Sequence, residues 1–250
     1  MSIINLGLDF EKIRNDFLSN DYKYITINNF LADDIAEILY NGFKGLDKSL
    51  WYQANLGNPK IYRKNLSTDS LSYQFSYKYE MFPLLNQNLL DMSNSGIRRQ
   101  NMNMQISNNP ETEISMENPL RKISYFLNSD EMHNLISYIT NTQLSYKKLI
   151  CFASKYTSDD FLSLHTDRPI NILQSPREIA VILNMTKNWL IHWGGILIIL
   201  DEEEKNIIEA INPKFNSLTL FKVPLKHAVL PVSCHCNSER FALTGWYHKY

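Results

Sequence analysis

The chain has 250 residues, 25 Lys+Arg against 26 Asp+Glu, and a formal net charge of −1. With 44% hydrophobic and 20% charged residues it has the composition of a soluble globular protein able to bury a sizeable core, expected as a single domain over 1–250. The near-neutral balance speaks against a broad nucleic-acid or membrane-surface footprint, because such partners need an excess of Lys and Arg.

The three cysteines, Cys151, Cys234 and Cys236, are too few and too odd in number for a disulfide framework. The first residues carry Asp9, Glu11, Arg14 and Asp16, not a basic start followed by an apolar run, so no secretory signal is expected. The most apolar stretch, 189–200, is well short of the roughly 20 residues of a membrane helix. A reduced cytoplasmic protein with no membrane partner is the expectation.

In chain order, 22–31 reads as a short strand. Asp33–Phe43 reads as a helix, with Ile35, Ile38, Leu39 and Phe43 on one face and Asp33 and Asp34 in its first turn. Residues 71–82 alternate, with Tyr73, Phe75, Tyr77 and Tyr79 on one side, the signature of a strand. Residues 86–119, rich in Asn, Ser and Met, read as a long loop, either a lid or a surface insertion. Asp130–Thr142 reads as a second helix with Met132, Leu135, Ile136 and Ile139 inward. From 147 onward, eight short β-branched and aromatic runs follow: 147–153, 161–166, 178–185, 195–200, 207–211, 217–223, 228–232 and 240–248. Turn residues separate most of them, which predicts a sandwich or jelly roll. The predicted fold is α+β: a mainly β core, 147–250, with helical support, a strand and a lid segment in 1–146.

The chemistry concentrates in the β half. His165 and Asp167 stand two apart at the end of a predicted strand, and a strand's period of two sends both to one face. A histidine and a carboxylate on one face supply two of the three ligands of a non-haem Fe(II) site. The third must come from a distant strand, and His227, opening the run HAVLPV, is the candidate. A solvated loop pair is the plain alternative for His165 and Asp167. Thirteen residues past His227, Arg240 begins RFALTGWYH, with Arg240, Ala242, Thr244 and Trp246 on one face of the predicted strand. An Arg inside a β barrel is costly unless paired with an anion, and a bound dicarboxylate would supply one by a bidentate contact.

Five blocks together, HTD at 165–167, REIAVILNMTKNWLIHWGGILIIL at 177–200, NPKFNSLTLF at 212–221, HAVLPV at 227–232 and RFALTGWYH at 240–248, resemble the Fe(II)/2-oxoglutarate-dependent dioxygenases, within them the prolyl-4-hydroxylase-like branch. The resemblance covers 147–250 well and 24–43 more faintly. It implies a double-stranded β-helix (jelly roll) with N-terminal helices packed on it. It implies an enzyme that uses Fe(II), 2-oxoglutarate and dioxygen, with ascorbate in support, to hydroxylate an unactivated C–H bond. The implied substrate is a prolyl or other residue of a peptide or protein. A free amino acid or natural-product intermediate is the alternative, and a non-catalytic metal-binding jelly roll is a further one.

Residue by residue, the resemblance assigns the iron to His165, Asp167 and His227, and the far carboxylate of 2-oxoglutarate to Arg240. It places Thr244, Tyr156 and Leu197 in the same cosubstrate pocket, Gly194 and Gly195 in the turn before Leu197, and Trp246 and Arg177 near substrate. For Tyr156, Trp246 and Arg177, ordinary core or surface roles are the alternative. Asn184 stands where the hypoxia-factor enzymes of this branch carry a tyrosine that helps hold 2-oxoglutarate, so it is the cosubstrate-binding candidate that departs from the pattern. A second arginine six residues after Arg240, expected of AlkB-type nucleic-acid demethylases, is replaced by Trp246. Cys234-His235-Cys236 lacks zinc spacing and reads as a loop, and His133, His192 and His248 read as structural or exposed.

Overall fold

The computed structural model describes residues 2–48, 51–56, 77–85, 117–168 and 176–249. Four helices are formed among them, each started by local chemistry. Helix α1 (Phe10–Ser19) begins where the Asp9 carboxylate accepts a hydrogen bond from the Lys12 N–H, and it buries Phe17. Helix α2 (Asp33–Lys44) has Asp33 and Asp34 at its positive end and Lys44 at its negative end. Its buried side is Ala36, Leu39 and Phe43; Ile38, expected inward, is 52% exposed. Helix α3 (Pro119–Leu127) is capped by Asn118, starts on Pro119, and buries Leu120, Ile123 and Leu127. Helix α4 (Asp130–Thr140) is capped by Ser129 and ends on Asn141, which takes the left-handed conformation at φ 51°.

Eleven strands are defined among the described residues: β1 (Tyr24–Asn28), β2 (Tyr52–Leu56), β3 (Tyr77–Leu85), β4 (Leu144–Tyr156), β5 (Phe161–His165), β6 (Arg177–Asn184), β7 (Leu197–Leu200), β8 (Ile207–Ile211), β9 (Ser217–Lys222), β10 (His227–Val229) and β11 (Arg240–Lys249). They form one curled antiparallel sheet in the order β1-β9-β6-β11-β4-β3-β5-β10-β7-β8, with β2 on β3. Because β3 pairs with both β4 and β5, the larger half-sheet passes continuously into the smaller one. The result is the double-stranded β-helix expected from the sequence, with an α+β layering.

Strand alternation sorts the side chains into two cores. On β6, Val181 and Leu183 join the helices, while Ala180 and Ile182 face the concave side. On β11, Phe241, Leu243 and Tyr247 join the helices and Ala242 the concave side. The helical core gathers Phe17, Leu39, Leu120 and Ile136, and the Tyr247 hydroxyl closes it by donating to the Leu127 carbonyl at 2.6 Å. The concave core holds Tyr156, Leu197, Ile199, Phe221 and Val229. Among the described residues, no helix is long and apolar enough to cross a membrane.

Several expectations need correction. Helices α1 and α3 were not foreseen, although Asp9 before Phe10, Ile13 and Phe17, and Asn118-Pro119 before Leu120 and Ile123, are cap-plus-period signals. The expected loop 86–119 ends in α3, and its residues 86–116 lie outside the described residues, as do 71–76 of the expected strand 71–82. That strand is seen as β3, Tyr77–Leu85. The β core is also not confined to 147–250: β1 pairs with β9, and β3 links the two half-sheets.

Gly245, midway along β11, is fixed by its neighbour strand. A Cβ there would lie 2.3 Å from the Ile150 carbonyl oxygen on β4. Gly245→Ala is expected to lower stability by about 1–3 kcal/mol by forcing β11 and β4 apart. Urea unfolding followed by far-UV circular dichroism measures it.

Candidate metal centre

His165 is the last residue of β5 and His227 the first of β10, and the two are direct cross-strand partners. Their rings lie 4.1 Å apart between centroids. Asp167 completes the group: its Oδ1 is 3.3 Å from His165 Nε2 and its Oδ2 3.5 Å from His227 Nε2. One ligand atom from each of the three falls within 4.8 Å of the others, and no second such group of His, Cys, Asp or Glu occurs among the described residues.

The route by which Asp167 arrives differs from the one expected. Strand β5 stops at His165, and Asp167 takes a left-handed backbone at φ 58°. A left-handed residue past the strand's end, not strand alternation, brings the carboxylate alongside the imidazoles; aspartate is among the few residues that tolerate this conformation.

The donor set suits a divalent metal ion. His165 Nδ1 lies 2.8 Å from the Ser163 carbonyl and His227 Nδ1 2.7 Å from the Leu225 carbonyl. A carbonyl can only accept, so each Nδ1 carries a hydrogen, and each Nε2 is the ring nitrogen turned toward Asp167. Burial, aided by His165, pulls His227 down to about 4 against the opposing pull of Asp167 and the Leu225 carbonyl, so its ring is a neutral donor at neutral pH. Burial alone would raise the Asp167 carboxyl; His227, the His165 hydrogen bond and Arg177 outweigh it and hold the group well below the usual carboxylate range. Two imidazoles and one carboxylate leave open positions on an octahedral ion, the pattern of non-haem Fe(II) sites.

Arg240 starts β11 opposite Tyr156 of β4, with its guanidinium carbon 4.8 Å above the tyrosine ring. It is 3% exposed, its Nε has no hydrogen-bond partner, and no carboxylate of the described residues pairs with it. A buried cation without an anion is expensive. The geometry therefore fits a carboxylate brought by a ligand. Gly195, at φ +62°, lies beneath it: a Cβ there would come within 3.2 Å of Arg240 Cδ, Trp189 Cζ2 and Val232 Cγ2. Gly194 is tighter still, with a Cβ 2.1 Å from the Pro231 carbonyl oxygen. These two glycines delay β7 to Leu197, two residues later than expected.

The remaining candidates fall as follows. Tyr156, Leu197 and the strand face of Ala242 belong to the concave core with the triad's neighbour Phe221, whose ring is 4.6 Å from that of His227. Asn184 is buried opposite Ala242, with its Oδ1 unpartnered. Thr244 sits between Ile182 and Phe152 on the neighbouring strands, half-buried. Trp246 packs against the concave core with its Nε1 unpartnered. Arg177 stacks on Trp246 and reaches Asp167. Of the other histidines, His133 is buried edge-on to Tyr247, His192 is exposed, and His248 is buried. Cys234 is exposed and Cys236 buried, and neither joins a metal-holding group.

Residues 151–248 match the sequence family described as the 2OG-Fe(II) oxygenase superfamily. In three dimensions the chain is similar to a Pseudomonas putida prolyl-4-hydroxylase, with TM-score 0.59 and 16% identity over 97% of this chain and 100% of that one. It is similar to a Trichoplax adhaerens prolyl hydroxylase solved with a hypoxia-inducible-factor peptide fragment, with TM-score 0.59 and 19% identity over 96% and 90%. A Burkholderia pseudomallei oxidoreductase of the 2OG-Fe(II) oxygenase family gives TM-score 0.60 and 12% identity over 99% and 93%. At such identities the structural likeness establishes the fold. No curated protein matches the chain by sequence.

Proposed function

We infer, from a 2OG-Fe(II) oxygenase core carried in a prolyl-4-hydroxylase-like fold, that this protein is a hydroxylase acting on an unactivated C–H bond of a peptide or protein residue, with a prolyl side chain as the first candidate. The observation that carries the reading is the pairing of two features in one concavity. A His165/Asp167/His227 group is built to hold a metal, and a buried Arg240 has no carboxylate partner among the described residues.

In this reading His165, Asp167 and His227 hold Fe(II), and Arg240 receives the far carboxylate of 2-oxoglutarate. Tyr156 stacks beneath the guanidinium and keeps it from swinging into the barrel wall. Leu197, Thr244 and Asn184 shape the cosubstrate pocket. Bound iron supplies the centre at which dioxygen oxidises 2-oxoglutarate to succinate and carbon dioxide and delivers one oxygen atom to the substrate. The chain's own share is orientation and exclusion of water: Phe221, Ile199 and Val229 wall the site with apolar surface. Ascorbate would serve to keep the iron reduced. The three cysteines are free, in keeping with a cytoplasmic setting.

The test is incubation with Fe(II), ascorbate, 2-oxoglutarate and a panel of proline-containing peptides and free amino acids, read by mass spectrometry. One oxygen gained on a peptide, with succinate formed in equal amount, is the expected result. Oxygen gained on a free amino acid alone would move the substrate to a small molecule. Metal binding with no succinate under any condition would make the protein a non-catalytic binder.

A further inference from the structure

Arg177 was expected near substrate. In the structure it stands between Trp246 and Asp167. It opens β6 and directs its guanidinium into the metal site, where its side chain is 11% exposed. Its carbon Cζ lies 3.8 Å from the centroid of the Trp246 ring, a face-on contact that fixes the plane of the guanidinium. From that platform Nη1 donates to the Asp167 backbone carbonyl at 3.3 Å and stands 3.9 Å from Asp167 Oδ1. Asp167 has lost the support of the sheet: β5 ended two residues earlier, and its backbone is left-handed. Among the described residues, Arg177 is the side chain that reaches both its carbonyl and its carboxylate.

We propose that Arg177, clamped by Trp246, is a positioning residue that fixes the backbone and carboxylate of Asp167 for metal ligation. The carboxylate so held keeps Oδ1 3.3 Å from His165 Nε2 and Oδ2 3.5 Å from His227 Nε2. The proposal rests on the oxygenase reading of the triad, and the experiment separates the two.

The probe is Co(II), bound anaerobically without cosubstrate and followed by its visible ligand-field bands and by titration. Arg177→Met keeps the stem over Trp246 and removes the charge; Arg177→Lys restores a cation. Arg177→Met is expected to fold with an unchanged circular dichroism spectrum, to bind Co(II) about 10–100-fold more weakly, as loss of an outer partner of a ligand does, and to shift the ligand-field bands. Arg177→Lys is expected to recover part of both. Wild-type affinity and an unshifted spectrum in Arg177→Met would overturn the proposal. So would a change confined to the substrate KM, which would return Arg177 to substrate contact. Failure of the wild-type protein to bind Co(II) at all would instead overturn the reading of the triad.

Discussion

Replacing Asp167 or His227 with Ala is expected to abolish succinate formation from 2-oxoglutarate, by more than about 100-fold, because even loss of an outer-sphere partner of a metal ligand costs about 10–100-fold. The two substitutions should differ in what they do to the metal-free protein. His227 is buried as a neutral ring, 3% exposed, packed against Phe221 and His165. His227→Ala opens a cavity there and should destabilise the apo protein. Asp167→Ala removes a buried charge from a turn at φ 58°, and loses Arg177's partner at the same stroke. Metal content after reconstitution, measured with the succinate assay, checks the pair. Full turnover with either variant would sink the assignment of the site.

Arg240→Met should give a contrasting pattern. Loss of a buried charge-assisted contact costs about 2–5 kcal/mol, so the 2-oxoglutarate concentration for half-maximal turnover should rise about 30-fold to several thousand-fold. The apo protein should not suffer. Arg240 is buried, with an unpartnered Nε and no carboxylate among the described residues, and an apolar side chain of similar volume in place of an uncompensated charge is neutral or stabilising. Thermal unfolding with Mn(II) separates these effects. Saturating 2-oxoglutarate, at about 100 times its dissociation constant, adds about 2.7 kcal/mol, or about 5–10 °C in Tm for a chain of this size. The wild-type protein should show that rise; Arg240→Met should show a Tm at or above wild type and no rise with 2-oxoglutarate. A rise of wild-type size in Arg240→Met would mean that the far carboxylate binds elsewhere.

The three residues of the candidate metal centre were legible because each belongs to a local signal: His165 and Asp167 by their spacing, His227 by the run that follows it. Arg240 was legible because a charge on the inner face of an alternating strand has no reason to be there without an anion. The concave face of β11, with Arg240 and Ala242 set against Phe241, Leu243 and Tyr247 on the helical side, followed from the period of two alone. Helix α1 buries only Phe17, which leaves its apolar period weak, whereas α3, with Leu120, Ile123 and Leu127 behind the Asn118 cap, carries a signal that the sequence offered plainly. The part played by β3 could not be read at all. A strand's partners are set by which backbones meet, and nothing in 77–85 says that β3 will pair with β4 on one side and β5 on the other.

The sequence by itself determined the chemistry available: two imidazoles, a carboxylate and one buried guanidinium on β-branched strands, in an order that resembles one oxygenase superfamily. Tertiary structure decided how they meet. His165 faces His227 through cross-strand pairing of β5 with β10. Asp167 joins them through its left-handed backbone beyond the end of β5, where strand periodicity is expected to place it. Arg177, nominally ten residues beyond Asp167, comes back onto it from the start of β6 because Trp246 of β11 gives its guanidinium a flat surface to rest on. Spacing along the chain fixes which face a side chain takes; only the closed sheet fixes what stands opposite, because distances across a barrel depend on pairings between strands far apart in sequence.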